Sequence, residues 1–298
     1  MKNKFRPFYL ILFSFIIFLI SCEKTLKYNF DIPENEKKIV VNSVLCPDSL
    51  VKVNISKSMS IQENNNSFQY LDNAEAKLFE NDVLIETLHY TKNGNYFSSD
   101  FKPEENKKYE IKVSVPNMNN VDANTVIPAK TNIISVDTLT VIDHEYEYDE
   151  KKLEFNIKFK DNIEIDNYYQ IECRYSYKEI YGDEDVFYKD YIEADEEILN
   201  IQNIDGTILL EDKIIAGEDF NLKFQVPIYI FTEQIKEYRI YLNSISKEYY
   251  LYLRTRSAQE ETEDNPFAEP VQVFNNINNG CGICGSYSSD VKSFIFNY

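Results

Sequence analysis

The cysteines are the residues of this chain with the clearest chemical potential. There are 5, and two of them sit three apart in Gly280-Cys281-Gly282-Ile283-Cys284-Gly285. A Cys-x-x-Cys pair supports dithiol redox chemistry where a strand runs into a helix, and it binds zinc when two further ligands join it. The strand-to-helix context is missing here, and Cys46 and Cys173 lie in other segments. In extended backbone, positions three apart are separated by about 10 Å and their side chains face opposite ways, too far for a disulfide. The pair reads as two buried free thiols, with a local disulfide in a tight turn as the alternative.

Other chemistry is thinly supplied. His89, beside Tyr90, and His144, within Asp143-His144-Glu145, are the only near-neutral bases, and both read as structural or solvated. There is no His-Glu-x-x-His zinc motif and no Gly-x-Ser-x-Gly nucleophile elbow. Asp161, Glu164 and Asp166 offer carboxylate oxygens suited to calcium, but their spacing is not that of an EF-hand and no glycine supplies its sharp turn. They read as solvated loop carboxylates, as do the acidic runs at 145–150 and 260–264. The composition holds 23 Tyr, 20 Phe and no Trp. Tyrosine can stack on sugar rings, yet at alternate strand positions it more often fills a core or covers a sheet. The expectation is no enzyme, no cofactor and no metal; a hydrolase would need an unrecognised cluster of acids or bases in one cleft.

Cys22 carries a different chemistry. Lys2, Lys4 and Arg6 precede an apolar run at 8–20 broken only by Ser14, and Leu19-Ile20-Ser21-Cys22 ends it. A charged start, a short apolar run and a small residue before the cleavage point predict a secretory signal over residues 1–21. The run is shorter than the about 20 apolar residues that span a bilayer. The ending looks like a bacterial lipobox, which implies cleavage before Cys22 and acylation of its thiol and new amino group. Residues 22–37 then read as a polar tether, and the partner implied is a membrane, held through lipid.

The net charge is −19, and loss of Lys2, Lys4 and Arg6 would take it to −22. That charge argues against nucleic acid and against docking on anionic lipid. Only 7 glycines occur, and no internal period is found, which argues against a repeat solenoid.

Regular alternation begins after the tether. Val51, Val53 and Ile55 alternate with Lys52, Asn54 and Ser56, and Tyr109, Ile111, Val113 and Val115 repeat the pattern. Asn81-Asp82 and Asn93-Gly94 mark hairpin turns. About seven short strands over residues 38–128 fit an immunoglobulin-like β-sandwich without the Cys…Trp…Cys core of true immunoglobulin domains. After a link at 128–132, a second β-rich domain with one helix is expected over residues 133–298. Leu153, Phe155, Ile157 and Phe159 alternate strictly there, as do Tyr169, Ile171, Cys173 and Tyr175. Residues 182–205 read as a long acidic loop with one short strand. Phe220, Leu222, Phe224 and Val226 give a further strand, and Tyr238, Ile240 and Leu242 another. Ser246 can cap a helix running to about Glu261, with Glu248 favourable in its first turn.

The tail departs from both periods. Asn265-Pro266-Phe267-Ala268-Glu269-Pro270 is a rigid loop, because each proline restricts its predecessor. Val271 and Val273 predict a strand, and residues 291–296 a last one. Gly280, Gly282 and Gly285 crowd into eight residues, which means positive φ or backbone passing close to something. The loop residues Asn265, Pro266, Phe267, Glu269 and Pro270 are a candidate binding surface, and the competing expectation is that Phe267 fills a core.

This tail, with Asn276-Ile277 and its three glycines, resembles the C-terminal signature of the DUF4249 family, lipoproteins of Bacteroidota. Asp161 with Asn167-Tyr168-Tyr169 is similar to another family block, and Asp212 with Gly217 to a third. The resemblance covers residues 37–298. It implies an outer-membrane, lipid-anchored, β-rich protein of the cell envelope, often encoded near TonB-dependent receptors, and it brings no catalytic residues. The chain departs from the family where Cys281 and Cys284 replace bulky apolar residues. The expected function is binding, as accessory to a TonB-dependent transport system; the alternative is a surface glycan-binding or adhesive lipoprotein.

Overall fold

The structure is a computed structural model that describes residues 36–60, 69–143, 150–162, 164–177, 186–194, 202–204, 206–211, 219–228, 235–263, 267–269 and 271–295. The chain divides after Glu36, and everything below belongs to the unit Lys37–Tyr298. Cys22, the tether up to residue 35, His144, Asn265, Pro266, Pro270, Asp212 and Gly217 lie outside the described residues.

The chain is mostly β. Its first half holds β1 (Ile39–Leu45), β2 (Lys52–Lys57), β3 (Gln69–Tyr70), β4 (Glu75–Glu80), β5 (Val83–Thr87), β6 (His89–Tyr90), β7 (Asn95–Phe97), β8 (Lys108–Ser114) and β9 (Val121–Val126). The alternation in the sequence sets their faces: Val53 and Ile55 of β2, and Tyr109, Ile111 and Val113 of β8, all point inward and are buried. Asn81, Asp82, Asn93 and Gly94 take positive φ, as two-residue hairpin turns require. Strands β6-β7-β2-β1, with β3 on β2, face the four-stranded sheet β5-β4-β8-β9 across one apolar core.

The second half holds β10 (Ile133–Asp143), β11 (Glu150–Lys160), β12 (Tyr168–Tyr177), β13 (Phe187–Lys189), β14 (Glu193–Ala194), β15 (Gln202–Ile204), β16 (Thr207–Glu211), β17 (Asp219–Pro227), β18 (Ile235–Ile245), α1 (Lys247–Glu263) and β19 (Cys281–Ile295). Strands β15-β16-β12-β18, with β13 on β12, face the sheet β10-β11-β17-β14 over a second core. That core is rich in rings: Phe155 stacks on Phe224 at 5.4 Å, and Phe159 meets Tyr169 at 5.2 Å. The region read as one long loop with a single strand holds three short strands among its described residues, β13, β14 and β15. Short edge strands with mixed composition leave too little periodicity to be read.

The two sheets that carry β1 and β18 are continuous through β19. Cys281 to Ser286 pair parallel with β1, and Tyr287 to Ile295 pair antiparallel with β18. The last strand therefore starts ten residues before the position expected from its apolar pattern. Its glycines masked it, because glycine is depleted in strands. Cys284 and Ile277 lie in the first core although they belong to the C-terminal segment. Residues 271–277, expected to include a strand, form none; side chains tie them down instead.

Helix α1 starts where expected. Ser246 Oγ accepts the Tyr249 amide at 3.3 Å, and Glu248 sits in the first turn. Tyr250 packs against Tyr168, Leu209 and Ile245, so the helix covers part of the outer face of the long sheet. No helix among the described residues is long and apolar enough to cross a membrane.

Candidate functional site

The tail motif separates into two parts. Asn276 makes a reciprocal pair with Cys284: its Nδ2 donates to the Cys284 carbonyl at 2.8 Å, and its Oδ1 accepts the Cys284 amide at 2.9 Å. Asn278 donates to Asp122 at 2.8 Å, and the Phe274 amide donates to Thr255 Oγ1 of α1 at 2.8 Å. These bonds fix the segment onto β9, β19 and α1. The glycines serve the same end. Gly282 has φ +114, and a Cβ there would lie 2.1 Å from the Val41 carbonyl oxygen of the paired β1. A Cβ at Gly285 would lie 2.8 Å from Tyr249 Cβ of α1. The close approach expected from clustered glycine is to the chain's own backbone and helix, not to a ligand.

Phe267 behaves otherwise. It is 95% exposed, which overturns the expectation that it fills a core. Ala268 is half-buried and Glu269 exposed beside it.

The described cysteines, Cys46, Cys173, Cys281 and Cys284, are free thiols. Cys284 is fully buried in the first core, and burial pushes its thiol up to about 12. Cys281 is only half-buried, contrary to expectation, because its side chain points to the other face of β19. There it lines a cavity of about 530 Å³ together with Val40, Tyr252, Arg256 and Phe274. His89 is exposed on β6, and Glu164 and Asp166 are exposed in their loop. Asp161 is buried instead: it accepts hydrogen bonds from the Tyr169 hydroxyl at 2.5 Å and Asn167 Nδ2 at 3.0 Å. Asn167 Nδ2 also donates to the Asn162 and Ile165 carbonyls, so this block pins a loop. No group of three metal-ligating side chains occurs among the described residues.

A constellation that sequence reasoning missed lies on the outer face of the long sheet. Cross-strand pairing puts Gln170, Asn243 and Ser289 on one rung, and Glu172, Tyr241 and Val291 on the next. They floor a cavity of about 310 Å³ that Tyr249, Tyr287 and Cys46 close at one side. Along the first rung, Asn243 Nδ2 donates to Gln170 Oε1 at 3.3 Å and Ser289 Oγ donates to Asn243 Oδ1. Arg174 donates from Nε at 3.0 Å and Nη2 at 2.6 Å, both to Oε2 of Glu172, and its guanidinium lies 4.7 Å over the Tyr241 ring.

Electrostatics keep Arg174, Tyr249 and Tyr287 in one state at neutral pH. Burial opposes the charge of Arg174, but the Glu172 carboxylate outweighs it and its pKa is raised. Burial pushes the Tyr249 hydroxyl up to about 12, with the Glu172 charge adding to it. Tyr287 is raised as well, by burial first and by the neighbouring Cys46 next. Both tyrosines therefore remain hydroxyl donors.

The molecule is thus a β-rich protein of two packed cores joined by one strand, with a polar cavity beside that strand and an exposed aromatic in its tail loop. Residues 25–293 match DUF4249, a domain of unknown function, and the chain belongs to that family. No curated protein matches it.

Proposed function

We propose that this chain is a lipid-anchored lipoprotein of the outer membrane that works by binding a protein partner, as accessory to a TonB-dependent transport system. Cys22 is the lipid attachment point, in the sequence context that a lipobox needs. The observation that supports binding is Phe267, a large apolar side chain 95% exposed in the tail loop. Aromatic side chains presented this way are the usual anchors of protein interfaces. The flanking Pro266 and Pro270 restrict the backbone before them, which lowers the ordering cost of association.

The test is copurification from membranes, with Phe267→Ala compared against wild type. An exposed side chain predicts a stability change within about 0.5 kcal/mol, where a core phenylalanine would cost about 3–5 kcal/mol. The variant should keep its melting curve and lose recovery of an outer-membrane transporter. Undiminished recovery with Phe267→Ala removes the loop from the interface. Failure of wild type to recover any transporter removes the accessory role.

A further inference from the structure

We propose that the cavity floored by Glu172, Tyr241 and Asn243 binds a small uncharged polyol, a single sugar ring presenting two neighbouring hydroxyls. The proposal does not depend on the partner reading above, because the cavity and Phe267 are separate features.

Size comes first. At about 310 Å³ the cavity lies at the small end of ligand pockets, room for one ring rather than a chain. Unused hydrogen-bonding capacity comes second. Both bonds from Arg174 go to Oε2 of Glu172, so among the described residues Oε1 accepts none, although the side chain is only 12% exposed. Nη1 of Arg174 likewise has no partner there, and that side chain is 40% exposed. The Tyr249 hydroxyl also makes no hydrogen bond among the described residues. A carboxylate acceptor and a guanidinium donor thus stand side by side, held by each other, and the Tyr249 phenol lines the same cavity. Neighbouring hydroxyls match this: one donates to Glu172 Oε1 while the next accepts from Arg174 Nη1. The Tyr249 and Tyr287 rings supply apolar surface against which a sugar's C–H face can lie, while the Tyr241 ring carries the Arg174 guanidinium.

The same geometry disfavours charged ligands. A carboxylate or phosphate is best held by the paired donors of one guanidinium edge. In Arg174 the Nε–Nη2 edge is taken by Glu172, and an anion on the remaining Nη1–Nη2 edge would face the negative charges of Glu172 and Asp48. A cation at Glu172 Oε1 would stand beside the Arg174 guanidinium and be repelled by it. What remains favourable is a neutral ligand that exchanges single hydrogen bonds with both members of the pair.

The experiment uses the full chain in a detergent without a sugar headgroup. Methyl α-glucoside, methyl α-mannoside and methyl β-galactoside are titrated by calorimetry and by saturation-transfer NMR, with L-serine as the zwitterionic comparison. At least one glycoside should bind one-to-one with a dissociation constant on the order of 1 mM, modest because few atoms are in contact. Glu172→Gln keeps an oxygen for Arg174 but loses the charge, and it should weaken binding at least tenfold. Tyr249→Phe removes only a hydroxyl and should weaken it several-fold, which keeps the test open if Glu172→Gln fails to fold. Phe267→Ala should leave glycoside binding unchanged. The proposal is overturned if no glycoside binds, if binding survives both cavity variants unaltered, or if L-serine binds in place of the glycosides.

Discussion

Gly282 is the position at which one added methyl group should test the architecture most sharply. Its φ of +114 lies where side chains are rarely found, and a Cβ would stand 2.1 Å from the Val41 carbonyl oxygen and 2.9 Å from its carbonyl carbon. Two costs follow for Gly282→Ala. Holding a non-glycine residue at such a φ costs about 1–3 kcal/mol. The collision is with backbone rather than with a movable side chain, so β1 and β19 must separate around the Val41–Gly282 pair. Losing two ladder bonds there adds about 1–3 kcal/mol. The sum, about 2–6 kcal/mol, is a large fraction of a domain's usual stability. The loss should also be local. Hydrogen exchange should quicken in β1 and in Cys281 to Ser286, while β11 and β17 of the other core stay protected. Guanidinium unfolding gives the total and exchange gives the location. A Gly282→Ala protein within about 1 kcal/mol of wild type would refute the claim that close β1–β19 pairing demands glycine. Uniform exchange across both cores would refute its locality.

Other consequences can be checked directly. Cys22→Ser should abolish fatty-acid labelling and move the protein from the membrane to the soluble fraction; persistent labelling would remove Cys22 as the attachment point. Asp190 is buried, and this raises its carboxyl to about 6, against the single amide bond from Tyr191 that lowers it. A carboxyl with a raised folded pKa stabilises below its unfolded value near 4, and that contribution is lost as pH rises to about 6. Asp190→Asn should therefore stabilise the protein at pH 7 by about 1–3 kcal/mol and flatten stability between pH 4 and 6; an unchanged pH profile would count against the burial of this charge. Under native conditions a thiol reagent should modify Cys281 well before Cys173 or Cys284, both of which are buried with raised pKa values. Equal rates would place Cys281 in the core as well.

Much of the fold was legible because strands with one buried face write a period of two into the sequence. Val53 and Ile55, Tyr109 to Val113, Leu153 to Phe159 and Leu222 to Val226 all point inward as that period requires. Asn93-Gly94 and Ser246 were readable because a turn and a helix cap each need specific chemistry within a few residues. What was not legible depends on contacts distant in sequence. Cys281 to Gly285 carries no apolar alternation, and it is a strand because β1, about 240 residues earlier, pairs with it. The loop chemistry of Asp161 could be read from its neighbours Asn167 and Tyr169, but not its burial. The cavity left a weaker trace: Gln170, Glu172 and Arg174 are the outward positions of a strand whose inward positions are Tyr169, Ile171 and Cys173. Nothing local separates outward residues that line a cavity from outward residues that face solvent. The difference is made by α1 and by the Cys46 loop, which arrive from elsewhere in the chain.

The tail segment and the candidate site meet at one residue. Ser286 is fully buried where β19 changes partner from β1 to β18. Its Oγ donates to the Val126 carbonyl at 2.8 Å and lies 2.9 Å from Thr125 Oγ1, so it holds β9 of the first sandwich. Its amide donates to Ser246 Oγ, the cap of α1, at 3.2 Å, and its carbonyl accepts the Ser246 amide at 2.8 Å. The next residue, Tyr287, is a wall of the polar cavity, and Tyr249 in the first turn of α1 is another. The hydrogen bonds that join the two cores thus also fix the positions of two cavity walls. A site built on such a junction has little freedom left to lose on binding, so it needs no ordering step to recognise a ligand. It also means that Gly282→Ala, which loosens this junction, should weaken ligand binding without touching the cavity, whereas Glu172→Gln should do so with the junction intact.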